Sequence, residues 1–248
     1  MEDIIGLIPA AGKGVRLGLP YPKELYPIIR DNRYKPVSQY VVENLVASGV
    51  KHIVFVINET KHQLIGYFGD GSRFGCRISY VVQEHRGDDN RSTSPGLAHA
   101  LNSAYHLIQG KTVCFGMADT VMAPVDVFRQ TLDGGQADDE VILGLYPTER
   151  PEKFGMVQLA EDNRTLQIVD KPAQTELEYM WGLIVWRSKF TEHLNKCVTE
   201  QGIGDFALIM NTAIEAGQQF RGVPLDGTFA DLGTYDEISE LEKRYKAP

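Results

Sequence analysis

Through the first half of the chain, short apolar runs alternate with stretches whose apolar residues recur at helical spacing. Residues 3–9, carrying Ile4, Ile5, Leu7 and Ile8, read as a first buried strand. Residues 36–48 set Val37, Tyr40, Val41 and Leu45 on one helical face and stop at Gly49. His52–Ile57 predicts a second strand, 60–68 a helix, Ile78–Val82 a third strand, 96–108 a helix and Thr112–Met117 a fourth strand. That alternation calls for an α/β fold, a doubly wound and mostly parallel sheet with helices on both faces. Beyond about residue 125 the pattern changes. Val141–Tyr146, Gly155–Leu159, Leu166–Val169 and Leu183–Trp186 are short strands at hairpin-like spacing, followed by one long helix at 204–216 and a charged helix at 234–245. The expectation is one domain over 1–248, in which a lobe of residues 1–125 is extended, without a flexible linker, by a mixed-sheet lobe of residues 126–248.

Candidate chemistry concentrates where the first strand should end. In Ile8-Pro9-Ala10-Ala11-Gly12-Lys13-Gly14-Val15-Arg16-Leu17, small residues and glycines replace side-chain bulk, and Pro22-Lys23 follows. Bare backbone N–H groups at a strand's carboxyl end, flanked by Arg16 and Lys23, suit a triphosphate. The spacing excludes two other phosphate loops. A P-loop needs four residues between its first glycine and Gly-Lys, then a hydroxyl; here five separate Gly6 from Gly12, and Gly14 stands in the hydroxyl position. A dinucleotide fingerprint needs a third small residue where Leu17 stands, and an acid ending the second strand, whereas Asp31 falls in a Pro- and Arg-rich loop. The bland reading, a glycine turn with solvated charges, is weakened by the Pro22-Lys23 pair.

Two aspartates add to this. Phe115-Gly116-Met117-Ala118-Asp119 ends the fourth strand with an acid, and ligands of open α/β sheets sit at the carboxyl ends of strands, so Asp119 should face the same crevice as the glycine loop. Asp231 precedes the last helix, whose cap is better supplied by Thr234. Alone, each acid is an ordinary turn former. Together they would meet the needs of Mg2+, which takes one or two carboxylates plus phosphate oxygens. Residues 84–95 form a long polar loop after the third strand, placed to act as a lid.

Composition narrows the partners. The net charge of −8 argues against a nucleic-acid polymer, which needs a broad basic surface, but not against a nucleotide met by a few local cations. Cys76, Cys114 and Cys197 show no paired spacing, and the six histidines show no metal-binding spacing, which fits inert thiols in a reducing compartment. Met1-Glu2-Asp3 is acidic where a signal peptide would be basic, and no apolar run spans a bilayer, so a cytoplasmic protein with no membrane partner is expected.

Taken in order, these residues resemble the sugar nucleotidyltransferases, the nucleoside-diphosphate-sugar pyrophosphorylases, and most closely the short glucose-1-phosphate thymidylyltransferases. The resemblance covers nearly the whole chain. It rests on Ala10 to Arg16 with Lys23, on Gln83 and Gly96-Leu97-Ala98, and on Ala118-Asp119. It continues through Pro151-Glu152-Lys153-Phe154-Gly155-Met156-Val157, Asp170-Lys171-Pro172 and Phe229-Ala230-Asp231-Leu232-Gly233-Thr234. It implies a Rossmann-like sheet whose added lobe binds a sugar, and a reaction between a nucleoside triphosphate and a sugar 1-phosphate. Catalytic roles would fall to Arg16, Lys23 and Lys171, nucleotide binding to Ala10, Ala11, Gly12, Gly14, Gln83 and Gly96, sugar binding to Gly155, Asp170, Trp181 and Gly182, and Mg2+ binding to Asp119 and Asp231. Gln83 offers an adjacent donor and acceptor, which favours the uracil or thymine edge of UTP or dTTP, while a rotated amide could pair with cytosine.

Three departures lie where the resemblance puts the sugar: Trp181-Gly182 for Thr-Gly, Asp170 for Glu, and Asp205-Phe206-Ala207-Leu208-Ile209-Met210-Asn211 in the late helix. They leave the acceptor open. A cytidylyltransferase of the methylerythritol-phosphate type, acting on a non-sugar phosphate, begins with a similar loop. A catalytically silent, nucleotide-binding relative is the non-enzymatic alternative. Family members commonly assemble as dimers or tetramers, so a homo-oligomer is left open as well.

Overall fold

The computed structural model describes residues 3–14, 17–30, 33–83 and 96–246. In chain order its elements begin with β1 (Ile4–Pro9), β2 (Pro27–Arg30), β3 (Arg33–Pro36), α1 (Val37–Ala47), β4 (His52–Ile57), α2 (His62–Phe68), β5 (Arg77–Val82), α3 (Leu97–Ser103) and α4 (Tyr105–Ile108). They continue with β6 (Thr112–Gly116), β7 (Thr120–Ala123), α5 (Val127–Asp133), β8 (Val141–Pro147), β9 (Gly155–Leu159), β10 (Thr165–Asp170) and β11 (Tyr179–Trp186). The last are α6 (Ser188–Thr199), α7 (Phe206–Glu215), β12 (Phe220–Pro224), β13 (Thr228–Asp231) and α8 (Tyr235–Lys246).

The centre is the parallel ribbon β6-β1-β4-β5, the doubly wound arrangement that the apolar pattern predicts. β1 and β4 are buried from their second residue on because both of their faces are covered. Ile5 and Leu7 pack on one side with α3, α6 and α7, while Ile8 packs on the other with α1, α2 and α5. On the β6 edge the sheet becomes mixed. β11 runs antiparallel to β6 and β8, β12 lies parallel to β8, and the β9–β10 hairpin joins at Met156 opposite Met180. A third apolar cluster gathers Leu17, Ile28, Val37, Val121, Leu232, Ile238 and Leu241 under α8.

Several elements differ from expectation. The helix expected at 96–108 breaks into α3 and α4 at Ala104. β11 begins at Tyr179 because Met180 pairs with both Tyr146 and Met156. β8 does not form a hairpin with β9 but lies between β11 and β12. The long helix near 204–216 is not alone: α6 precedes it, with Phe190, Leu194 and Cys197 buried among charged neighbours that dilute its apolar signal. The Pro- and Arg-rich stretch around Asp31 carries the β2–β3 hairpin, although Asp31 itself lies outside the described residues. β7 and β13, too short to announce themselves in the sequence, pair with each other. No helix among the described residues is long and apolar enough to cross a membrane.

Candidate active site

Ala10 continues β1 by donating its N–H to Val56 O at 2.7 Å, and Asn58, just past β4, donates its side-chain amide to Ala11 O at 2.8 Å. The neighbouring strand thus pins the loop. Gly14 has φ of +66°, a left-handed conformation that favours glycine, and it lies against the Lys23 stem. Ala10, Ala11, Gly12, Lys23, Gln83, Gly96 and Asp119 line one pocket of about 230 Å3. Gln83 is buried and anchored by its N–H to Ile57 O at 2.8 Å. Gly14 backs the pocket through Lys23 without lining it. Arg16 and the loop expected to act as a lid, 84–95, lie outside the described residues.

Asp119 is buried in the turn between β6 and β7, and the Lys23 ammonium sits on its carboxylate Oδ2. β13 runs antiparallel to β7 with Asp231 opposite Thr120, and Leu232 N–H donates to Asp119 O at 2.9 Å. A short β ladder therefore staples together two acids that lie far apart in the chain. Burial works to lower the Lys23 pKa, but the Asp119 carboxylate, with Glu24 and Asp231 adding, outweighs burial and holds it above the ordinary lysine value.

Asp119 and Asp231 also line a larger cavity of about 510 Å3 with Gly155, Asp170, Lys171, Trp181, Gly182, Lys153, Asp205 and Phe206. The Trp181 indole lies across Gly155, where an added Cβ would collide with Nε1 unless the ring moved, so glycine lets the indole pack this closely. Trp181 Nε1 is buried without a hydrogen-bond partner among the described residues, and its ring packs edge-on against Phe206 at 6.3 Å between centroids. Lys171 has φ of +47°, held by its N–H to Phe154 O at 2.9 Å. Its ammonium lies 3.7 Å from Asp170 Oδ2, with both side chains largely exposed. A further cavity of about 370 Å3, between Arg150, Tyr146 and α8, shares Phe154, Phe229 and Asp231 but touches neither the glycine loop nor Lys23. The glycine-loop pocket and the cavity of about 510 Å3 are the two spaces that meet at Asp119.

Residues with no role in the sequence reading support this floor. Lys153 donates to Glu237 Oε1 at 2.6 Å, and Glu237 Oε2 accepts from Gly233 N–H at 3.0 Å, just beyond Asp231. Lys153 stood inside the Pro-Glu-Lys-Phe-Gly motif, but nothing local pointed to Glu237 as its partner. Burial would raise the Glu237 pKa; hydrogen bonds from Lys153, Thr234 and Gly233, with the Lys153 charge, outweigh it and bring the carboxyl below its ordinary 4.5. A depressed carboxyl stabilises the fold above its unfolded pKa and loses that contribution as pH falls through the folded one. Wild type should therefore exceed Glu237→Gln in stability by ~1–2 kcal/mol at neutral pH. In urea melts across pH, that gap should close at pH values below 4.5; a gap independent of pH would remove the ionised Glu237 from the account.

The sequence model of the nucleotidyl transferase family matches residues 5–247. A glucose-1-phosphate thymidylyltransferase of Streptomyces griseus is 24% identical over 243 residues, covering 96% of this chain and 64% of the relative. One from Neisseria meningitidis is 30% identical over 196 residues, covering 75% of this chain and 62% of the relative. The chain thus spans less than two thirds of the length of these curated relatives. Among solved structures, a UDP-glucose pyrophosphorylase complexed with UDP-glucose superposes with a TM-score of 0.81 at 23% identity, covering 99% of this chain and 98% of that one. A UDP-glucose pyrophosphorylase from Acinetobacter baumannii gives 0.77 at 17% identity, with 97% and 92% covered. At these identities the two structures speak to the fold.

Proposed function

This chain belongs to the nucleotidyl transferase family, and on that premise we propose that it joins a nucleoside triphosphate, dTTP or UTP, to a sugar 1-phosphate, giving a nucleoside-diphosphate sugar and pyrophosphate. The observation that carries the reading is the meeting of the glycine-loop pocket and the larger cavity at Asp119, with Lys23 on its carboxylate. One space suits a nucleotide, the other an acceptor, and a cation and two acids stand between them.

In the proposed reaction an acceptor phosphate oxygen attacks the α-phosphorus in line and pyrophosphate leaves. The acceptor phosphate is already a nucleophile, so the protein's task is to hold two anions together and stabilise charge on the transferring group. Backbone N–H groups of Ala11, Gly12 and Gly14, with Arg16, would hold the triphosphate. Lys23 would leave Asp119 for the transferring phosphate, and Lys171 would hold the acceptor phosphate. The Gln83 amide would read the base edge. Gly155, Asp170, Trp181 and Gly182 would bound the acceptor.

Two carboxylates tied by one backbone ladder and open to a shared cavity are a donor set that fits Mg2+ completed by phosphate oxygens. When bound, the ion would neutralise phosphate charge and polarise the α-phosphorus. A second reading, cytidylyl transfer to a non-sugar phosphate, is favoured by Trp181 and Phe206, which put aromatic rings in the wall of the acceptor cavity.

Pyrophosphate release, measured with dTTP, UTP and CTP against a panel of sugar 1-phosphates and non-sugar phosphates, tests both. Turnover with dTTP or UTP and a sugar 1-phosphate is expected. Turnover restricted to CTP and a non-sugar phosphate would establish the second reading, and nucleotide binding without turnover would leave a silent binding protein.

A further inference from the structure

Beneath Lys23 lies an ion pair that the proposed reaction does not use. The Lys61 ammonium donates to Glu24 Oε1, and the two residues are 3% and 1% exposed. A buried pair contributes little net stability, because desolvating two charges offsets their attraction, whereas removing one partner strands the other. Its placement is what matters. Glu24 follows Lys23 in the short turn Lys23–Leu25, which is tied down by Ser38 Oγ donating to Glu24 O at 2.7 Å. Lys61 ends the turn Glu59–Lys61, and Asn58, which caps that turn through Thr60 N–H at 2.9 Å, is the residue that pins Ala11. The glycine loop and the lysine turn thus hang from one anchor at the end of β4.

The charges alternate along this line. Glu24 Oε2 is buried with no hydrogen-bond partner among the described residues, and Lys61 is the side chain that bonds the other carboxylate oxygen. Among the described residues, Lys23 is a second cation acting on Glu24, and Lys23 and Asp119 act on Lys61 besides Glu24. With Lys61 removed, the stranded Glu24 would draw the Lys23 ammonium away from Asp119. With Glu24 neutralised, Lys61 would compete with Lys23 for Asp119. Glu24 reaches the wall of the glycine-loop pocket, whereas Lys61 lines neither cavity that meets at Asp119.

We propose that the Lys61–Glu24 pair is a positioning device for Lys23, which satisfies Glu24 from behind so that the Lys23 ammonium is free to face Asp119 and the transferring phosphate. The functional part of this inference rests on the nucleotidyl-transfer reading; the geometric part does not.

The test compares Lys61→Met, Glu24→Gln, the double variant Glu24→Gln/Lys61→Met and Lys61→Arg. A ~1 Å misplacement at a reacting centre costs about 10²-fold, so each of the first two is expected to lower kcat by roughly 10- to 100-fold, with acceptor KM changed less than about threefold. The double variant leaves no stranded charge and should recover to within about fivefold of wild type, and Lys61→Arg should retain most of the activity. Glu24→Gln, and its relief in the double variant, keep the test informative if Lys61→Met does not fold. Wild-type kcat in both single variants, with only their melting temperatures lowered, would make the pair purely structural and overturn the proposal. A double variant as slow as the singles would overturn it too.

A crystal structure of Lys61→Met, or of Glu24→Gln in its place, reads Lys23 without reference to turnover. The ammonium is expected outside hydrogen-bonding distance of Asp119. Found there in a protein whose wild type transfers nothing, it would sink the reaction but keep the device; an undisplaced Lys23 in an active enzyme would sink the device alone.

Discussion

Asp119→Asn is expected to lower kcat by about 10³-fold, the size of effect that follows loss of a preorganised charge at a reacting centre. Asp119 is where the two cavities meet, and its main chain is bonded to the residue after Asp231. The asparagine keeps an oxygen for Lys23 and the Leu232 N–H bond to the main chain, but it loses the charge that a divalent ion and an ammonium both need. Stability should fall only modestly, by ~1 kcal/mol, which in a protein of this size moves Tm by about 2–4 °C. Titration with Mn2+, followed by electron paramagnetic resonance, should show weakened ion binding. Turnover within about tenfold of wild type would remove Asp119 from the chemistry.

Lys23→Met should cost about 10²–10³-fold in kcat, yet it should move ion binding in the opposite direction. In the free protein the Lys23 ammonium occupies the Asp119 carboxylate. A divalent ion arriving there must displace it or share the oxygen. Methionine keeps the aliphatic stem that packs against Gly14 and removes the competing charge. Mn2+ affinity without nucleotide should rise in Lys23→Met and fall in Asp119→Asn, although both are slow. Equal affinities in the two variants would mean that the Lys23–Asp119 contact has no bearing on ion binding. A chelator should abolish wild-type turnover, and added Mg2+ should restore it.

Much of this arrangement was legible from local pattern. The apolar runs of β1, β4 and β6 are continuous because their strands are covered on both faces, and such runs stand out against the helices between them, whereas β5, at the sheet edge, is only partly buried. Ala10, Ala11, Gly12 and Lys23 were legible as a set because small residues at a strand's end are a local feature. Other parts left no local trace. α6 buries Phe190, Leu194 and Cys197 among lysines and a glutamate, and β7 and β13 become strands only by pairing with each other. Lys153, Glu237, Glu24 and Lys61 are ordinary charged residues in the sequence, and their meaning lies wholly in their partners.

By itself, the sequence determined the α/β class and the order of the central strands and helices, since periodicity is a property of neighbouring residues. The tertiary structure alone decided that Asp231 comes to lie beside Asp119, that Trp181 covers Gly155, and that Lys61 stands behind Lys23. Each of those depends on strand register and on which charges are buried together, and both are settled by packing between segments distant in the chain.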